Sequence, residues 1–576
     1  MFKLRRFLKD YKKECIIGPL CKLLEAILEL FVPLVMASII DVGIANRDAG
    51  YVWKMGGLLV LLALMGWSSA MFTQYFASRA SQGAGTKIRR ALFAHINTLS
   101  HAELDRLGTP SLITRITNDT NAVQQAIAMM IRLLTRAPFI ILGSLVMAMM
   151  INLPLSLIFF GAAALIALTL YFVMTKSVPV FALMQKKLDK IGLIARENLT
   201  GNRVIRAFSK QQTECARVDE ATDDLAKTSI RVSRLSALLS PVTYAVTDIA
   251  IILIVWFGAV NVNIGGMKTG DIVALVSYMT QILLAMIVVA NLVTLMTRAS
   301  ASAKRINEVF ETQPSVTERQ TKPVAIDKGA PKIAFEHVGF NYNSDGDEEL
   351  SDISFAVPRG ATVGIIGGTG SGKSTLINLI PRFYDVTAGC VRVDGADVRD
   401  YPFAQLRGQI GIVPQQSVLF GGTIRQNMQW QDKNAADEDI IRALKIAQAW
   451  EFVQKLPDGL DSRVEQGGKN FSGGQRQRLC IARALVKSPQ ILILDDSFSA
   501  LDLATDAALR KALKENTNGM TVLIVTQRST TVKSADLILV VHDGMLAGQG
   551  THEALFETCE IYRDICLSQQ REEAAV

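Results

Sequence analysis

A chain of 576 residues, 49% apolar and 20% charged with a net charge of +8, is too long for a single core, so two or more domains are expected. The mean hydropathy is positive despite that charge, which suggests a membrane part joined to a soluble part. The seven cysteines show no paired spacing, which fits reduced structural thiols and argues against a disulfide framework.

The first residues decide what the positive charge is for. Lys3, Arg5, Arg6, Lys9, Lys12 and Lys13 stand immediately before the first apolar segment, where charges that anchor a helix to the inner leaflet belong, so a membrane surface is favoured over nucleic acid. That segment is too long for a cleavable signal and lacks a small-residue cleavage site. Six apolar stretches follow at about 16–40, 55–77, 133–152, 154–175, 243–263 and 273–295, each near the ~20 residues that a bilayer crossing needs. The connections after the first, third and fifth are short, whereas those after the second and fourth run over about fifty residues and carry most of the Lys and Arg. The amino terminus, the long connections and everything after residue 300 are therefore expected on the cytoplasmic side.

The long connections read as helix. Residues 176–240 repeat Leu188, Ile191, Ile194, Leu199, Val204 and Ile205 among charged residues, so the membrane helices should run on into the cytosol. Residues 104–118 break between two such extensions, and a short turn and helix is expected there. Ionisable groups inside the apolar stretches are costly and therefore informative. Glu25 and Glu29 stand i,i+4 on the first stretch and Asp248 lies in the fifth; they either line a polar cavity for a cationic or amphipathic ligand or pair between helices.

Residues 312–332 are polar, contain three prolines and read as a domain linker. Beyond them short β-branched strands alternate with helices, as in an α/β nucleotide-binding domain. Residues 364–376 contain a complete G-x-x-x-x-G-K-S from Gly367 to Ser374, preceded by an apolar strand and followed by a helix-like run. In that context Gly367, Gly368, Thr369, Gly370, Ser371 and Gly372 turn backbone N–H groups toward phosphate oxygens, and Lys373 neutralises the β- and γ-phosphates. The hydroxyl of Ser374 would sit on Mg²⁺, with Thr375 next to it in the first helical turn. The run Gln490-Ile-Leu-Ile-Leu-Asp495-Asp496 is a buried parallel strand whose terminal Asp495 is placed to hold Mg²⁺ through water.

Asn470-Phe-Ser-Gly-Gly-Gln-Arg-Gln-Arg-Leu479 resembles the signature motif of ABC transporters, and the surrounding order fits that family. Tyr342 resembles the adenine-stacking aromatic, Gln415 in Val413-Pro-Gln-Gln416 the Q-loop residue near the metal and the attacking water, and Ser499-Ala-Leu-Asp502 the D-loop. The resemblance spans nearly the whole chain and is to an exporter-type half-transporter, in particular to the degenerate-site subunit of heterodimeric bacterial multidrug exporters. It implies a multidomain membrane protein: an all-α domain of six transmembrane helices with long cytoplasmic extensions over 1–311, the linker 312–332, and an α/β P-loop ABC ATPase domain over 333–576. It implies ATP and Mg²⁺ as cofactors, a multi-pass location in the cell inner membrane with both termini cytoplasmic, and segments near 108–115 and 208–216 as coupling helices. It also implies that Phe471, Ser472, Gly473, Gly474 and Gln475 contact ATP held on a partner's P-loop.

The chain departs from the family at two catalytic positions. Asp496 stands where a Glu normally polarises the attacking water, and Gln527 where a His normally contacts the γ-phosphate. A carboxylate withdrawn by one methylene is misplaced on the order of 1 Å, which can cost ~100-fold in rate, and Gln527 has no titratable proton. Together they suggest a site that binds ATP and hydrolyses it slowly. The expected function is ATP-driven export of an amphipathic or hydrophobic drug, lipid or peptide by a heterodimer with a homologous subunit that supplies the better site. The alternatives are a homodimeric lipid flippase, a siderophore-type importer on the exporter fold and an ATP-gated membrane regulator. A DNA-repair type ABC ATPase is argued against by the six crossings.

Overall fold

Backbone polar groups in lipid can be satisfied only internally, so the apolar runs of the amino-terminal half form helices, and two of the long ones begin at a side-chain cap. Asp48 accepts the Tyr51 N–H at 3.0 Å at the start of the second long helix. Asn152 accepts the Leu155 N–H at 3.1 Å at the start of the fourth, with Pro154 in the first turn, where its missing N–H leaves no bond unmade. The computed structural model describes residues 2–319, 322–342, 346, 348–516 and 519–574; Gln320 and Thr321 of the expected linker lie outside them. Among the described residues six helices are long and apolar enough to cross a membrane: Lys3–Ile44, Ala49–Ile96, Thr109–Ile151, Leu153–Thr200, Gln211–Asn263 and Thr269–Glu311. The apolar stretches read from the sequence lie within these helices, which continue well past them.

One compact unit comprises the residues up to Asn97 together with Thr109–Glu311. Its core gathers Leu30, Phe159, Ile254, Tyr278 and Ile282, and the Tyr278 hydroxyl donates to the Leu30 carbonyl at 2.6 Å. The first and sixth crossings approach at Gly270, whose N–H donates to the Asp41 carboxylate at 2.6 Å. A Cβ at this position would stand 2.4 Å from the Ala37 carbonyl oxygen, so the approach requires glycine. Leu64, Trp67, Leu157, Phe160, Ile252 and Trp256 are exposed, as side chains that face lipid should be. Glu25 and Glu29 of the first crossing both have basic partners: Glu25 accepts from Lys22 at 2.7 Å, and Glu29 accepts twice from one terminal nitrogen of Arg136, at 2.7 and 3.1 Å. Asp248 is exposed on the fifth helix.

Two expectations about the turns between the long helices need correction. The first short helix is His101–Leu107, ahead of the expected 108–115, because Ser100 and Glu103 close a capping box at its start and Gly108 at φ 73° ends it. Thr109 then opens the third crossing helix. The second short helix is Asn202–Ala207, and 208–216 form the turn after it and the start of the fifth long helix.

The second unit comprises Thr98–Gly108 and Thr312–Val576. Its strands are β1 (Ile333–Phe340), β2 (Leu350–Val357), β3 (Thr362–Ile366), β4 (Ala388–Val393), β5 (Ala396–Asp397), β6 (Ile410–Val413), β7 (Gly422–Thr423), β8 (Arg463–Val464), β9 (Ile491–Asp495), β10 (Thr521–Thr526), β11 (Leu537–His542) and β12 (Met545–Gly550). They form a four-stranded sheet ordered β2-β1-β4-β5, a six-stranded sheet ordered β12-β11-β3-β10-β9-β6, and the small pair β7-β8. In the larger sheet β11, β3, β10, β9 and β6 run parallel, with helices such as Lys373–Leu379 and Gly473–Leu485 in the crossovers. Ile491, Leu492, Ile493 and Leu494 are fully buried, which is why β9 reads as an unbroken apolar run. His101 packs its ring 4.5 Å from Phe383, and the Tyr384 hydroxyl donates to Asp105 at 2.8 Å, so the short helix is built into this unit.

Candidate functional site

Strand register gathers the chemistry at one sheet end. Ile366, the last residue of β3, lies opposite Thr526 of β10; Asp495 of β9 lies opposite Val525; and Val413 of β6 lies opposite Leu494. The P-loop, Gln527, Asp495 with Asp496, and Gln415 therefore leave from the carboxyl ends of adjacent parallel strands, the place where open α/β sheets bind ligands.

The P-loop backbone explains its glycines. A Cβ at Gly367 would fall 2.1 Å from the Val541 carbonyl oxygen, and Gly370 and Gly372 take φ of 80° and 95°. Gly368 and Thr369 are exposed on the outer side of the loop, and Ser371 is buried beneath it. The Lys373 ammonium donates to the Gly367 carbonyl at 2.9 Å, to the Gly368 carbonyl and to the Ser371 hydroxyl at 3.3 Å. Burial pushes the proton affinity of Lys373 down while Asp495 and Asp496 pull it back up. Tyr342 is tied to the loop's helix through a hydroxyl contact of 3.1 Å with Thr375, and its ring meets Phe340 and Tyr384 edge-on, leaving it half-exposed for stacking.

The Ser374 hydroxyl donates to the Asp495 carboxylate at 3.2 Å. Asp495 is buried, and that burial pushes its carboxyl above the usual range. A hydroxyl and a desolvated carboxylate side by side are hard oxygen donors that fit Mg²⁺, just as the Lys373 ammonium in a glycine-rich loop fits phosphate. Asp496 sits at φ 45° with its backbone fixed from three sides. Its N–H donates to the Val525 carbonyl at 2.9 Å, and its carbonyl accepts from Gln477 at 3.2 Å and from the Ser499 hydroxyl at 2.9 Å. Gln527 is exposed, with its carbonyl accepting from Gln569 at 2.7 Å, and Gln415 is exposed just past β6.

The signature residues are not brought to this chain's own P-loop. Ser472 caps the helix Gly473–Leu485 in a capping box with Gln475, whose side-chain oxygen accepts the Ser472 N–H at 2.9 Å while its own N–H reaches the Ser472 hydroxyl at 3.3 Å. Phe471 is buried in the core near Phe452, and Gly473 and Gly474 leave the helix start bare beside Ala500. Sequence reasoning missed Gln477, which is buried and bridges the two regions: its amide nitrogen donates to the Asp496 carbonyl and its oxygen accepts the Ala500 N–H at 3.3 Å. A polar residue one turn beyond the glycines, on the apolar face of its helix, was the available signal. It also missed Tyr384 and Asp105, whose contact no local pattern announces.

Six membrane-crossing helices followed by a P-loop ATPase with its own signature helix define a membrane transport protein driven by ATP. The chain belongs to the ABC transporter family, as an exporter-type half-transporter with fused transmembrane and ATP-binding domains. The model of the ABC transporter transmembrane region matches residues 15–286 and the ABC transporter model matches residues 350–499. The chain is 38% identical over 569 residues to the uncharacterized ABC transporter ATP-binding protein YfiB of Bacillus subtilis, covering 99% of this chain and 98% of that protein. It is 29% identical over 565 residues to the ATP-dependent lipid A-core flippase of Vibrio vulnificus, covering 98% and 96%. A bacterial Atm1-family ABC exporter with ATP bound has the same fold, with a TM-score of 0.80 at 24% identity over 97% of this chain and 98% of that one.

Proposed function

We propose that this chain is one subunit of a heterodimeric exporter in the inner membrane, that its own P-loop holds MgATP and turns it over slowly, and that its signature helix completes a faster site on a homologous partner. The observation that carries this reading is the fixed backbone of Asp496. With its N–H and carbonyl committed to Val525, Gln477 and Ser499, the main chain has no slack to restore the reach of the missing methylene. Gln527 can hydrogen-bond a phosphate but cannot trade a proton with it. Ser374, Asp495 and Gln415 would hold the metal, which supplies charge neutralisation at the phosphates. Tyr342 would stack on the base, and Ser472, Gly473 and Gly474 present a bare helix start to the partner's nucleotide. The cargo is an amphipathic or hydrophobic compound; the likeness to a lipid A-core flippase keeps lipid within that class.

The test is ATPase activity. This chain purified alone should hydrolyse little ATP while retaining nucleotide, and co-expression with a homologous half-transporter should restore turnover, which Ser472→Arg in this chain should then nearly abolish. Robust ATPase and transport from a homodimer of this chain would falsify the heterodimer.

A further inference from the structure

Strand β10 ends at Thr526, so the backbone groups of Gln527 and Ser529 lie past its ladder and must find partners outside it. Ser529 opens the short helix Ser529–Val532, whose first N–H has no acceptor within the helix. Arg528, the residue before it, makes no side-chain cap, because a guanidinium has nothing to accept with. The missing partner comes from the carboxyl end of the chain. The Gln569 side-chain oxygen accepts the Ser529 N–H at 2.8 Å and the Ser529 hydroxyl at 2.9 Å, while its amide nitrogen donates to the Gln527 carbonyl at 2.7 Å. One side chain thus grips the turn on both sides of Arg528.

The helix that carries Gln569 is fixed independently of the turn. In Glu560–Ala574, Tyr562, Cys566 and Gln569 recur at i, i+4 and i+7, which puts them on one face. Tyr562 and Cys566 are buried in one core with Val532 and Ile366, and the Tyr562 hydroxyl pairs with His552 Nδ1 at 2.9 Å. Ile366 ends β3 and is followed directly by Gly367 of the P-loop. The short helix lies close on the same strand: a Cβ at Gly364 would stand 2.5 Å from that of Val532. On the other side of the turn, the Arg528 guanidinium donates to the Ser499 carbonyl at 3.4 Å. The turn is therefore strung between the carboxyl-terminal helix and the segment that begins at Ser499, with Gln527 exposed at its start.

Resting on the reading of Gln527 as the residue that meets the γ-phosphate, we propose that Gln569 is its positioning residue. The carboxyl-terminal helix holds the turn so that the Gln527 amide reaches the third phosphate, and so sets how well this P-loop tells ATP from ADP. A merely structural brace would weaken both nucleotides alike, because both carry the phosphates that the P-loop itself holds. The two ends of the Gln569 amide are separable: the donor holds Gln527, and the acceptor holds the start of the short helix.

The test is equilibrium binding of Mg·AMP-PNP, whose third phosphate is not transferred, and of MgADP to the purified full-length chain. Gln569→Glu keeps an acceptor for Ser529 but cannot donate to the Gln527 carbonyl, and Gln569→Leu keeps neither bond. Both should weaken AMP-PNP by about three- to tenfold, the size of one lost hydrogen bond, and leave ADP unchanged. Gln527→Ala should give the same selective loss. Adding Gln569→Leu to it should weaken AMP-PNP no further, because a residue that acts through Gln527 then has nothing left to position. Ser529→Ala, which removes the hydroxyl at the other end of the grip, should show a smaller selective loss and serves if the Gln569 variants fold poorly. Equal weakening of the two nucleotides, no change in either, or losses at Gln569 and Gln527 that add would each overturn the proposal. A Gln527→Ala variant that binds AMP-PNP like the parent would overturn it together with the reading on which it rests. Binding is read without hydrolysis, so the asymmetry of the two ATP sites stands or falls separately.

Discussion

At the scale of single residues, the ATP site is defined by what its backbone forbids. Asp496 lies in the left-handed region, held by Val525, Gln477 and Ser499, so side-chain length at this position translates directly into where the carboxylate ends. Asp496→Glu combined with Gln527→His should raise the ATPase rate of the purified chain by about 100-fold, with each single change giving less, because one restores the reach to water and the other restores a titratable contact to phosphate. Steady-state hydrolysis at saturating ATP checks this, and a double variant still at background would place the defect elsewhere. The P-loop, Asp495 and the signature were legible in the sequence because each depends on spacing within a dozen residues. Gln477 and Arg136 were not: one acts across the fold on a carbonyl, and the other sits at the edge of an apolar run where a single charge does not disturb the hydropathy.

At the scale of elements, the helix His101–Leu107 shows why turns are harder to place than crossings. The break read over residues 104–118 does not say on which side of it the short helix lies, and only the capping box with Gly108 marks the true limits. What fixes the helix is distant, namely Phe383 and Tyr384. Burial there depresses the pKa of His101, with Arg407 adding to the effect and Asp105 opposing it. A histidine whose folded pKa lies below its ordinary value stabilises the neutral form. Its contribution is complete above the ordinary pKa near 6.5 and is lost as the pH falls through the lower folded value. The melting temperature of the full-length protein should accordingly drop between pH 7.5 and 5, and His101→Phe should shrink that drop; an identical drop in the variant would place the acid sensitivity in other groups.

At the scale of the whole molecule, the fold class was readable because its two parts obey different solvents: crossings of about twenty apolar residues on one side, and buried β-branched strands punctuated by glycine loops on the other. The charges of the connections predict the sidedness. In a cysteine-free version, single cysteines at Asn46 and Asn263 should react with an impermeant thiol reagent added outside whole cells, and one at Gln211 should not. Labelling of Gln211 but not Asn46 would invert the topology.

The hydrogen bond between Asp105 and Tyr384 joins residues 279 positions apart. A ribosome adding roughly 5–20 residues per second makes the short helix about 14–56 s before the tyrosine that receives it, so this contact forms long after the helix itself is made. Until then Thr98–Gly108 is a segment without its neighbours, and the membrane helices on either side of it must be inserted first. An ATPase domain expressed on its own from the linker onward would never acquire this segment, and Phe383 and Tyr384 would lose their contacts with His101 and Asp105.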